Sequence, residues 1–197
     1  CWIDFTRPAA TLNALEALIE AGVKSAVIGT TGFSDDEEEA IKKASAKIAI
    51  MKSGNYSLGV NLLAALTKMA AARLGADWDI EILETHHRRK VDAPSGTALL
   101  LGDAAADGRG SDLSDLRSAP YDGPDAERQS GQIGFAVRRS GGVIGEHEVT
   151  FASEMEILSL SHTALDRAVF ARGALAAAAW VSTQPPGLYD MGDMLDL

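Results

Sequence analysis

The sequence predicts an α/β fold in its first third and an α+β arrangement after it, on three observations. Buried-strand patterns at 1–5, 23–28 and 47–51 alternate with helical patterns after residue 6 and at 35–46, an order that calls for a parallel sheet. Beyond residue 130 the period becomes two: Ile133, Phe135 and Val137 share one face and Val143, Val149 and Phe151 another, as in half-buried antiparallel strands. Between these portions, 57–74 is an unbroken helical pattern that reads as the hinge from one to the other.

Composition narrows the function classes. With 197 residues, 46% hydrophobic and 23% charged, the chain has material for one core or two small ones. No apolar run approaches the roughly 20 residues that span a bilayer, and no basic-then-apolar leader is visible, so the expected location is cytoplasmic. The single cysteine, Cys1, excludes an internal disulfide framework and fits a reducing compartment. A net charge of −10, with pI near 4.8, repels nucleic acid and anionic membranes. An anionic ligand must therefore meet a local cationic pocket. Arg88, Arg89 and Lys90 form one candidate group; Arg138 and Arg139 form another, which reads as a solvated face.

The elements follow in order. Residues 1–5 read as a buried strand whose partners should precede it, which implies an absent N-terminal portion. Pro8 opens a helix with Leu12, Leu15, Leu18 and Ile19 on one stripe, ending at Gly22. The strand 23–28 delivers Gly29-Thr-Thr-Gly32 to the carboxyl end of a parallel sheet, where ligands bind; a plain connection with glycines for tight turning is equally compatible. Ser34 and Glu37 make a capping box for the helix 35–46, and 47–51 is the next strand, followed by Ser53-Gly-Asn-Tyr56. After the helix 57–74 come a strand at 78–83 and a helix from Gly96 to about residue 106. Residues 107–130, with Gly108, Gly110, Pro120, Gly123 and Pro124, read as an exposed excursion. Gly141-Gly142 predicts a two-residue hairpin between the next two strands, and 155–162 is a third. His147 falls on the apolar face, where a hydrogen-bonded core histidine is the expected role. The last helix, 166–183, has Phe170, Ala174, Ala177 and Val181 on one stripe and stops at Pro185-Pro186-Gly187.

Chemistry concentrates in Glu84-Thr-His-His-Arg-Arg-Lys-Val-Asp-Ala-Pro-Ser-Gly-Thr-Ala98. If the strand persists into it, His86 shares a face with Ile82 and Glu84 while His87 points oppositely. A turn after His87 would return Lys90 to the side of His86, pairing a neutral-pH proton handler with a cation. Gly96 and Thr97 enter a helix N-terminus, whose N–H groups and dipole favour an anion. The bland reading is a solvated basic loop with strand-capping histidines.

The string E-x-H-H-x-x-K-x-D-A-P-S-G-T-A, held here by Glu84 to Ala98, resembles the signature of the dihydrodipicolinate reductase family, which acts in the diaminopimelate route to lysine. The resemblance extends through Ile3-Asp-Phe-Thr6, Val27-Ile-Gly-Thr-Thr-Gly32, Asn55-Tyr-Ser-Leu-Gly-Val-Asn61, Gly145-Glu-His147 and Gly187-Leu-Tyr-Asp-Met191. It implies a dinucleotide-binding, Rossmann-like parallel sheet lacking its first strands, formed by 1–57 and 167–197. It further implies an α+β substrate-binding and oligomerisation domain, 58–166, with a mostly antiparallel sheet, in a homotetramer. NADH or NADPH would contact Gly29, Thr30, Thr31, Ser53, Gly54, Asn55 and Tyr56. His86 and Lys90 would be the catalytic acids, His87, Ser95, Gly96 and Thr97 would hold a dicarboxylate substrate, and no metal, nucleic acid or membrane is expected. The implied activity is reduction of 4-hydroxy-tetrahydrodipicolinate to tetrahydrodipicolinate.

Two other classes are distinguishable from this. The chain contains no G-x-G-x-x-G, so a catalytically inactive oligomeric binding fragment is one alternative, separated by a test of NADH binding. A metal or serine hydrolase built on His86 and His87 or on Ser95 is the other, but H-E-x-x-H, H-x-H and G-x-S-x-G are all absent.

Overall fold

The computed structural model describes all of Cys1–Leu197, and the chain divides into two compact units: Cys1–Asn61 with Ala168–Leu197, and Leu62–Arg167. The first is built on a four-stranded, all-parallel sheet in the order β1 (Trp2–Asp4), β2 (Ser25–Ile28), β3 (Ala49–Lys52), β8 (Gly187–Tyr189). Its central strands carry the apolar runs 26–28 and 49–51, buried because both faces are covered. Ala26, Ile28 and Ile50 pack with Leu15 of α1 (Pro8–Glu20) and Ile41 of α2 (Asp35–Ser45). Val27, Ala49 and Met51 point the other way, onto Ala174, Ala177 and Val181 of α6 (Ala168–Val181) and Met191 of α7 (Met191–Leu195). Gly173 lets α6 approach closely, since a Cβ there would overlap the carbonyl of Tyr56.

Local signals explain the boundaries. Pro8 is the first residue of α1, and Gly22 follows the helix in the left-handed region at φ 74°. At α2 both bonds of the capping box are present: Glu37 N–H donates to Ser34 Oγ, and Ser34 N–H donates to the Glu37 carboxylate at 2.8 Å. The expected burial of the first strand is corrected. β1 is a sheet edge, Ile3 is exposed, and of its three residues only Asp4 is buried.

The second unit has α3 (Leu58–Arg73, whose first residues lie in the other unit) and α4 (Gly96–Gly108) against one face of a mixed sheet. That sheet runs β5 (Ile133–Arg139), β4 (Asp79–His86), β6 (Gly145–Ala152), β7 (Ile157–Ala164). Ile80, Ile82, Ile133, Val149 and Phe151 meet Ala98, Leu101 and Ala105 of α4 in one apolar core.

The predicted Gly141-Gly142 hairpin between neighbouring strands is not formed. β4 lies between β5 and β6, parallel to the first and antiparallel to the second. The glycine loop instead passes over the end of β4, with Ser140 N–H donating to His86 O and Arg88 N–H to Gly141 O. Val143 accordingly sits in the loop, outside any strand. The long, half-apolar β4 buries more by taking the centre than an isolated hairpin would. Within the excursion after α4, α5 (Leu113–Leu116) is a short helix. Arg128 is drawn in from it, pairing with Asp79 at 2.8 Å and with Glu81.

Candidate active site

β4 continues three residues past its last apolar position, and this extension creates the site. Period-two alternation puts Ile80, Ile82, Glu84 and His86 on the helix-covered face, so a carboxylate and an imidazole follow two core isoleucines into the interior. Glu84 is 1% exposed and His86 8%. A buried carboxylate needs full pairing, and Glu84 has it. Arg139 Nη1 donates to Oε2 at 3.1 Å and Nη2 to Oε1 at 3.2 Å, Ser95 N–H donates to Oε1 at 3.0 Å, and His86 Nδ1 contacts Oε2. Burial would raise the Glu84 pKa, but Arg139, His86 and the Ser95 amide outweigh it and hold the group below the usual carboxylate value.

Ser95 is the N-cap of α4: its Oγ accepts from Ala98 N–H at 3.2 Å and its carbonyl accepts from Leu99 N–H. The same hydroxyl lies 3.2 Å from His147 Nε2. Gly96 and Thr97 form the first turn of the helix, at the positive end of its dipole. The space beside the Gly96 Cα is open, with nothing within 4 Å of where a Cβ would stand. One carboxylate thus joins the strand end carrying His86 to the first turn of a helix, an anion-favouring position.

The chain turns after His87, with Lys90 N–H donating to His87 O at 3.1 Å. Lys90 Nζ is held 2.8 Å from Asp92, whose carboxyl it keeps below the usual value. Its charge is the smallest of the influences that act on the His147 imidazole. His87 departs from this group. Its Nε2 is 3.0 Å from Arg167 Nη2, and desolvation with the Arg89 and Arg167 charges lowers its pKa. His147, 5% exposed, has its ring 5.1 Å from that of His86 at 73°. Burial first, and then the His86 charge, depress its pKa to about 4.

Glu84, His86 and His147 bring donor atoms within 4.8 Å of one another, a set that could suit a metal ion. Both Glu84 oxygens, however, already face the Arg139 guanidinium, whose charge opposes a cation there.

In the first unit, the residues predicted to meet a dinucleotide gather at the carboxyl ends of β2 and β3. Ser53 N–H donates to Ile28 O at 3.1 Å, and the Thr31 methyl lies 3.7 Å from the space a Gly54 Cβ would fill. Ser53 Oγ donates to Asn55 O at 2.8 Å, closing the turn. Phe5, half exposed, covers Gly29 so closely that a Cβ would run into its ring. Gly29, Thr31, Ser53, Gly54 and Asn55, at the carboxyl ends of two neighbouring parallel strands, are the residues that could hold a dinucleotide. Thr30 and Tyr56 are placed differently. Tyr56 is 1% exposed and its hydroxyl donates to Ile28 O at 2.8 Å; Thr30 Oγ1 donates to the buried Asp4 carboxylate at 2.8 Å. Both side chains serve the scaffold.

Comparison with known proteins now bears on these two sites. The family model described as dihydrodipicolinate reductase, N-terminus, matches residues 1–56, and the one described as dihydrodipicolinate reductase, C-terminus, matches residues 59–195. The chain belongs to the dihydrodipicolinate reductase family. The 4-hydroxy-tetrahydrodipicolinate reductase of Caulobacter vibrioides is 57% identical over 194 residues, 98% of this chain and 76% of that protein. The one of Parvibaculum lavamentivorans is 54% identical over 195 residues, 99% and 72% respectively. Among solved structures, a dipicolinate-bound dihydrodipicolinate reductase from Paenisporosarcina sp. TG-14 superimposes with a TM-score of 0.79 at 26% identity, covering 98% of this chain and 72% of that one.

Against this family background, the sequence reading passed over Arg139 and Glu84. Arg139, expected to be solvated, is fixed on Glu84 and on Asp92 O at 2.6 Å. Its position opposite His86 follows from the parallel β4–β5 pairing, which no local pattern announces.

Proposed function

We propose that this chain reduces 4-hydroxy-tetrahydrodipicolinate to tetrahydrodipicolinate with NADH or NADPH, a step of diaminopimelate and lysine biosynthesis, and that His86 and Lys90 are its acids. The observation that carries this reading is the Glu84 bridge between the imidazole of His86 and the N-terminal amide of α4. It sets a proton carrier beside an anion site, as a dicarboxylate that must be protonated requires. When bound to the first unit, the nicotinamide supplies hydride. The chain's own residues do the rest.

A substrate carboxylate is received at the Gly96 and Thr97 amides, whose dipole and N–H groups favour it. His87, whose Nε2 lies 3.0 Å from Arg167 Nη2, is assigned to the same anion by the family resemblance alone, and Ser95 orients the turn through its cap. His86 presents Nε2, since Nδ1 is turned to Glu84, and gives up its proton there to the reacting ring or its departing hydroxyl. Lys90 adds positive charge and a second proton source. The pyridine dicarboxylate held by the Paenisporosarcina reductase has the planar, doubly anionic character such a site would accept.

The working form is proposed to be a homotetramer in the cytoplasm. Supporting this, Ile157 at the start of the edge strand β7 is exposed, as are Met155 and Leu165 just beyond its two ends. No helix is long and apolar enough to cross a membrane.

Lys90→Ala tests the acid assignment. Steady-state turnover is expected to fall about a hundredfold or more, while the Kd for NADH, measured by fluorescence titration, stays where it was. Equal losses in both quantities would remove Lys90 from the substrate side.

A further inference from the structure

Glu84 has no assigned part in the reaction, yet the site is arranged around it. It is the most deeply buried carboxylate of the second unit, and each of its oxygens has two partners. Such investment in one charge exceeds what stability asks, because a buried ion pair is often neutral against an apolar substitute of equal volume.

Resting on the reading of His86 as the acid, we propose that Glu84 is its positioning residue: the carboxylate, fixed by Arg139 and the Ser95 amide, holds His86 Nδ1–H and so commits Nε2 to carry the transferred proton. Free imidazole favours neither orientation strongly. Here the hydrogen bond made by one nitrogen decides the state of the other.

The surroundings are consistent on every side. Gly145 of β6 faces Nε2, and a Cβ there would come within 3.1 Å of it, tighter than an ordinary contact. Glycine therefore keeps the working nitrogen approachable. The charged and titratable groups around the ring are Glu84 on its own strand, Arg139 on β5, His147 on β6, and His87, Lys90 and Asp92 in the loop. Glu84 is the one anion in direct contact with the ring. His147 is kept neutral by burial and adds no competing charge at neutral pH.

The motif thus contains a three-part relay of orientation. Arg139 and Ser95 fix Glu84, Glu84 fixes His86, and His86 meets substrate. Arg139 acts at one remove, so its loss should lower turnover without abolishing substrate binding.

Imidazole ¹⁵N NMR on the intact, unsubstituted enzyme tests this directly, with a His86→Gln sample to assign the signal. The expected result is a neutral form protonated on Nδ1; a neutral form protonated on Nε2 would overturn the proposal, whatever the kinetics show. Glu84→Gln supplies the second arm, since its amide oxygen still accepts from Nδ1 but without charge. The alkaline limb of the kcat–pH profile should move to lower pH by about one unit, as removing an adjacent anion destabilises imidazolium, and kcat should fall about tenfold to a hundredfold with KM little changed. An unmoved profile would make Glu84 a structural anchor only. Failure of the underlying reading is separately visible: if His86→Gln itself retained kcat, His86 would not be the acid, irrespective of its tautomer.

Discussion

His147 is buried against His86, and its depressed pKa makes acid stability a residue-scale property. The folded state holds the ring neutral down to about pH 4, whereas the unfolded chain protonates it near 6.5. The unfolded state therefore binds more protons between those values, so stability present above pH 6.5 is lost as pH falls toward 4. For this one group the loss amounts to about 3 kcal/mol at most. His147→Gln should flatten the fall of Tm between pH 6.5 and 4 relative to the unsubstituted protein; an equally steep fall would place the sensitivity elsewhere. At this scale the sequence was half legible. The face shared by Ile82, Glu84 and His86 follows from period two alone, and so does the inward position of His147. The partners of these residues do not, because Arg139 and Ser95 reach Glu84 across a strand pairing and a loop, contacts of 55 and 11 residues' separation.

Elements with their own punctuation were readable to within a few residues. α2 has its capping box and α1 its proline, and α4 starts at Gly96 as its cap requires. Strand order was less so. Gly141-Gly142 carries a hairpin signal, yet the loop straddles β4, since nothing within a strand records which neighbour it will take. The three-residue β8, near the end of the chain, is too short for a periodicity to register. The edge strand β7 carries the element-scale prediction. Ile157 is 69% exposed at its start, and an uncovered apolar edge invites association. If the proposed tetramer assembles through this edge, Ile157→Asp should shift the sedimentation profile toward smaller species while leaving far-UV circular dichroism intact. An unshifted profile would put the interface on another surface.

Each unit of the whole molecule buries its own core, the first around Val27, Met51 and Ala177, the second around Ile80, Ile82 and Phe151. The candidate acid belongs to the second, and the loops proposed to meet the cofactor belong to the first. A substitution at the acid should therefore leave cofactor affinity alone, a separation that a mere folding defect would not respect. His86→Gln, assayed for turnover with NADH affinity measured on the same preparation, tests the account most directly. The prediction is a loss of about a hundredfold or more in kcat with the Kd for NADH unchanged; turnover close to that of the unsubstituted enzyme, or a loss matched by weakened NADH binding, would contradict it.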